Sequence, residues 1–236
     1  MNVKLVILIF GILIFNLQFA HTQHIEEEHE DHFLHPFLAH MALPDRPGEI
    51  SVRVSPFQER LGVETIQDIG VHIEAGILPR LGLHVRNDAI KEGPYTEMMI
   101  MYALIQNTSL SRGISLFGQL SIPTGPIESN RNRTLFGLAA RETLKKFVII
   151  NTNVHIDVKE EMADIGSSFV FRLSEKLYPI FEVHGEIGEE ETHASGLFAL
   201  KFRVKQHTGL GFGFQFPFSG HKEYDTQLLA TFDLTF

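Results

Sequence analysis

Cysteine is absent from the 236 residues, and so is tryptophan. Without cysteine there is no disulfide framework, no thiol catalysis and no acylated cysteine of the bacterial lipoprotein kind. A basic stripe is missing as well. The formal net charge is −9 and no Lys/Arg cluster occurs, which excludes a nucleic-acid binder that must neutralise phosphates. Long apolar runs are scarce. Only Met1 to Ala20 holds a long apolar stretch, so a bundle of membrane-spanning helices is excluded, and any membrane embedding must be carried by alternation along strands.

The apolar start reads as an export signal. Lys4 supplies the positive region, Leu5 to Phe15 the apolar core and Ala20 a small residue at the cleavage point. The core is shorter than the roughly 20 residues a spanning helix needs. Residues 1–20 are therefore expected to be a signal peptide. Gln18, three positions before the cut, leaves the cleavage site unfixed.

Residues 21–48 are expected to form a disordered, His/Glu-rich periplasmic tail. His21, His24, His29, His32, His35 and His40 lie among Glu26, Glu27, Glu28, Glu30 and Asp31. Two readings stay open: a divalent-metal site for zinc, copper or nickel, since imidazoles and carboxylates are their ligands, or a plain solvated tail. A third is a plug folded into a barrel. Pro44-Asp45-Arg46-Pro47-Gly48 then marks where the folded part begins.

From Glu49 onward, apolar and polar residues alternate over runs of about ten, separated by Gly, Pro, Asn or charged clusters. The runs are Glu49 to Phe57, Thr65 to Gly76, Leu81 to Asn87, Glu97 to Gln106, Gly113 to Pro123, Thr134 to Thr143, Phe147 to Val158, Ser168 to Lys176, Pro179 to Gly188, Ser195 to Lys205, Gly209 to Phe218 and Gln227 to Phe236. Tight links at Ile77 to Arg80, Leu144 to Lys146, Leu177-Tyr178 and His207-Thr208 alternate with longer ones, among them Glu59 to Glu64 and Lys159 to Ser167. This is the pattern of an all-β, up-and-down antiparallel transmembrane β-barrel of about twelve strands spanning residues 49–236, with short turns on the periplasmic side and the longer loops outside.

The last strand is the sharpest signal. Leu228, Ala230, Phe232, Leu234 and Phe236 take every second position and end on a terminal aromatic, which resembles the strand that the barrel assembly machinery binds in outer-membrane proteins. The expected partners are that machinery, outer-membrane lipid and a small-molecule solute. With no tryptophan and four tyrosines, the interfacial girdle must lean on phenylalanine.

If apolar positions face lipid, the opposite set lines the interior. That set comprises Arg53, His72, Glu74, His84, Arg86, His155, Asp157, Arg172, Glu182, His184, Glu186, Lys201, Arg203 and Lys205. Facing lipid at the midplane, an Arg or Lys would cost roughly 2 to 4 kcal/mol. The lining supports two readings: a transverse field that selects solutes in a hydrated pore, or internal neutralisation, with Glu182 and Glu186 pairing Lys201 and Arg203. No motif joins a nucleophile to a base, so no enzyme and no bound cofactor are expected.

Ala75-Gly76-Ile77-Leu78-Pro79-Arg80-Leu81-Gly82-Leu83 and Leu120-Ser121-Ile122-Pro123-Thr124-Gly125, with the final Phe236, resemble the outer-membrane transporters associated with the MetA pathway of phenol degradation. The resemblance covers most of Glu49 to Phe236. It implies passage of small, often aromatic, solutes across the outer membrane. The His-rich tail is foreign to that pattern and keeps a rival in view, a metal-binding envelope protein anchored by its barrel.

Overall fold

The structure, a computed structural model, describes residues 36–37, 42–87, 95–107, 111–123, 132–144, 147–157, 159, 162–188, 192–219 and 224–236. The expected signal peptide and all six tail histidines lie outside the described residues.

The described chain forms twelve strands: β1 (Ile50–Leu61), β2 (Glu64–Leu78), β3 (Leu81–Asn87), β4 (Tyr95–Asn107), β5 (Arg112–Pro123), β6 (Arg133–Leu144), β7 (Val148–Asp157), β8 (Met162–Phe171), β9 (Leu177–Ile187), β10 (Thr192–Lys205), β11 (Thr208–Ser219) and β12 (Thr226–Thr235). Each pairs antiparallel with its sequence neighbours, and β1 also pairs with β12, which closes the barrel and leaves no sheet edge. This is the expected architecture and strand count.

Period-2 alternation dictates which face each side chain takes. On β12, Leu228, Phe232 and the terminal Phe236 are exposed on the outside, while Gln227, Leu229, Thr231 and Asp233 are buried inside. Phe198, Leu200, Phe202 and Val204 alternate outward on β10 in the same way. A row of rings crosses the outer face through Phe169, Phe181, Phe198 and Phe214, aligned by direct cross-strand pairing. Phe181 and Phe198 stand 4.9 Å apart between ring centres. Phenylalanine does supply the aromatic surface.

Two boundaries differ from expectation. Glu59 to Glu64 is no open link: β1 and β2 run on to a two-residue turn at Gly62-Val63, where Gly62 takes the left-handed φ of 59°. Residues 61–69 are exposed on both faces, so this hairpin end has no apolar side to announce it as strand. β8 comes earlier than expected, and Leu177 and Tyr178 belong to β9 rather than to a turn. The link is 172–176, where Ser174 Oγ accepts bonds from the backbone N–H groups of Lys176 at 3.2 Å and Leu177 at 3.1 Å. That side-chain turn replaced the strand expected over Glu175 and Lys176.

The end of the expected tail lies inside the barrel. Phe37, Ala42, Leu43 and Asp45 are buried. Pro47 bridges Gly76 in parallel, and Gly48, at φ 87°, turns the chain into β1. The wall makes room by lacking side chains. A Cβ at Gly211 would stand 2.7 Å from the Phe37 ring, one at Gly82 would stand 2.8 Å from Pro44, and one at Gly113 would stand 2.7 Å from Leu43.

Candidate functional site

The lumen is the site, and its first feature is an apolar seat. Phe57, Ile149, Val170, Tyr178, Ile180, Leu197 and Leu229 point inward from β1, β7 to β10 and β12 and form one buried cluster around the Phe37 ring. On β11 the inward positions Gly209, Gly211 and Gly213 are bare while Leu210, Phe212 and Phe214 face out, which clears space for that ring.

Polar groups rim the seat. Lys201 Nζ lies 5.3 Å from the centre of the Phe37 ring and 3.2 Å from Asp233 Oδ2. Arg53 Nε donates to Asp233 Oδ1 at 2.8 Å and Arg53 Nη1 to the carbonyl of Pro36 at 2.7 Å. Glu182 Oε1 accepts the backbone N–H of Phe37 at 2.6 Å. The segment Pro36-Phe37 is therefore held by its backbone and its ring together. Further along, Ser115 Oγ donates to the carbonyl of Ala42 at 2.7 Å, beside a second apolar cluster of Met99, Met101, Phe117 and Ala139.

Two clusters of histidine and acid flank this arrangement. On β2 and β3, His72 Nε2 lies 3.1 Å and His84 Nδ1 3.8 Å from Glu74 Oε1. On β7 to β9, His155 Nε2 lies 3.0 Å from Asp164 Oδ2, and His184 Nε2 lies 2.5 Å from Asp164 Oδ1. Arg86 pairs with Glu97 across β3 and β4, and Arg133 Nε reaches Asp157 Oδ2 at 3.1 Å.

Of the expected lining residues, Arg53, Glu74, His84, Arg86, His155, Asp157, Glu182 and Lys201 are buried, and His72, His184, Glu186 and Arg203 are half-buried. Arg172 falls just past the end of β8, half-buried, and Lys205 is exposed at the end of β10. Glu182 acts electrostatically on Lys201, and Asp233 adds a close partner that the expected pairing lacked. Lys201 meets Asp233 on β12, and Arg203 lies over the Tyr178 ring at 5.8 Å. Internal neutralisation describes the mid-lumen charges.

Several partners escaped the sequence. Asp164 falls in an expected link, Tyr178 in an expected turn, and Phe37 in the tail, for which a plug within the barrel is one of three open readings. A signal for Phe37 was present: after its acidic first half, the tail turns apolar from Phe33 to Pro44, which a solvated segment has no need to be. The amides of Asn151 and Gln227 are buried with no hydrogen-bond partner among the described residues.

Comparison with known proteins adds the fold. The KdgM porin superposes with a TM-score of 0.59 at 12% identity, covering 79% of this chain and 99% of that one. A complex of KdgM porin with disordered oligogalacturonate gives 0.60 at 12% identity, over 80% and 99%. An outer membrane channel from Pseudomonas putida gives 0.62 at 7% identity, over 83% and 98%. At such identities the likeness is one of fold: a twelve-stranded barrel shared with outer-membrane channels. No family model and no curated protein matches the sequence.

Proposed function

We propose that the protein is an outer-membrane channel for small solutes, aromatic or hydrophobic ones above all, and that its own N-terminal segment occupies the solute path. The observation that carries this reading is the Phe37 ring, 5% exposed, seated on an apolar patch of the lumen wall. A site that accepts the chain's own ring accepts a free one, since apolar lining with a few placed polar groups is how small-molecule sites are built. Arg53 Nη1, which bonds the Pro36 carbonyl, becomes available to a solute oxygen when the segment leaves.

The outward apolar face meets lipid, the strand ending at Phe236 meets the assembly machinery, and the end where β1 begins and β12 finishes faces the periplasm. The resemblance to phenol-pathway transporters points to the same solute class. Nothing in this reading requires catalysis or a cofactor.

The test is flux. Liposomes carrying the full mature chain are swollen in benzoate or in arabinose, alongside Phe37→Ala. We expect faster swelling of the variant and a preference for benzoate over the sugar. Planar-bilayer recordings should show the wild type mostly closed and the variant open for longer. A barrel silent in both forms would sink the channel, and equal passage of the two solutes would sink the aromatic assignment.

A further inference from the structure

We propose that His72, Glu74 and His84 form a divalent-metal site on the lumen wall, built for a zinc-like ion. Among the described residues, one group of three metal-ligating side chains brings a ligand atom from each within 4.8 Å of the others, and it is this one. The site is separate from the tail histidines and does not rest on the channel reading.

The sheet itself makes the arrangement. Glu74 and His84 are direct cross-strand partners on β2 and β3, and His72 sits two residues before Glu74, on the same inward face. The two imidazole rings are inclined at 47° with centres 5.8 Å apart, so they do not stack. Their nitrogens approach one oxygen, Glu74 Oε1, at 3.1 and 3.8 Å. A tetrahedral ion with bonds of about 2.0 to 2.2 Å needs ligand atoms roughly 3.3 to 3.6 Å apart. The two nitrogen–oxygen distances bracket that spacing, and all three ligand atoms lie within 4.8 Å of one another, so side-chain rotation must draw the set together around an ion.

Burial favours binding, and the donor set names the ion. Glu74 and His84 are 2% and 3% exposed, so an ion there escapes competition from bulk water. Arg53 and Arg86 are cross-strand partners of His72 on either side. Arg86 is held by Glu97 and Arg53 by Asp233, although Arg53 also acts electrostatically on Glu74. Two guanidiniums oppose any divalent cation, so their pairing with Asp233 and Glu97 matters; the donor set of two imidazoles and one carboxylate, not the charge, is what suits a borderline ion such as zinc rather than calcium. Three protein ligands leave the remaining position, on the lumen side, for water or a small anion.

The experiment uses the full mature chain folded in detergent, with His21, His24, His29, His32, His35 and His40 all changed to Asn so that the tail cannot bind. Zinc is titrated by calorimetry and cobalt by its visible absorption, which reports nitrogen ligation. We expect one ion per barrel, with affinity falling on the order of tenfold or more in His84→Asn and in Glu74→Gln. His72→Asn, at a half-buried position, serves if either of those fails to give the heat-modifiable folded band. No binding by the tail-substituted barrel would overturn the proposal. So would folded variants that bind zinc as tightly as their parent.

Discussion

His72, Glu74 and His84 on one wall, and His155, Asp164 and His184 on the other, each set two imidazoles about one carboxylate, yet the two groups are built differently. On β2 and β3 both nitrogens approach a single oxygen. On β7 to β9 the acid sits on the middle strand, and each oxygen takes a histidine from a different side. The register makes this difference. A carboxylate directly opposite one histidine, with the other two residues away on its own strand, gives convergence; a carboxylate between two strands gives a brace. Convergence suits an ion, whereas a brace joins three strands.

The comparison can be broken at four points. Asp164→Asn removes the charge that two imidazoles face, the contact to buried His155 being of the charge-assisted kind worth about 1.5 to 3 kcal/mol and that to half-buried His184 adding a few tenths, so unfolding in detergent should show a loss of about 3 kcal/mol. An unchanged denaturation midpoint would show that the brace carries no load. Zinc at about 100 times its dissociation constant should stabilise the tail-substituted barrel by about 2.7 kcal/mol, and the increment should survive His184→Asn and vanish in His84→Asn. If His184→Asn abolishes it instead, the two walls have been assigned the wrong way round.

Smaller effects separate the clusters further. Without metal, Glu74→Gln should cost about 1 kcal/mol, less than Asp164→Asn, because its two histidine contacts, at 3.1 and 3.8 Å, are longer than the pair at Asp164. A larger loss than at Asp164 would reverse the ranking. His184→Asn, half-buried and with Asp164 still held by His155, should cost about 0.5 kcal/mol, the smallest of the set, read from the same unfolding curves.

Much of the fold was legible along the chain. Membrane strands must alternate, so Phe198, Leu200 and Phe202 against Leu197, Ala199 and Lys201 already separate outside from inside. Legibility failed where alternation carries no contrast, as in the hairpin end around Gly62, polar on both faces, and at β8, where Gly166, Ser167 and Ser168 resemble a link. The site was half legible. Its charged and histidine residues followed from the inward parity, but their partners did not, because parity tells which face a residue takes and not its height on the wall.

The sequence by itself determined a closed barrel, its twelve strands and the sign of each face wherever apolar and polar residues alternate, since these follow from local periodicity and from the demand that backbone groups in hydrocarbon pair with one another. Only the tertiary structure decided that Phe37 sits among Ile180, Leu197 and Leu229, that Lys201 meets Asp233, and that two histidines converge on Glu74. Those contacts depend on strand stagger around the closed wall and on where the entering segment crosses it, and both are set by closure, a property no single stretch of chain possesses.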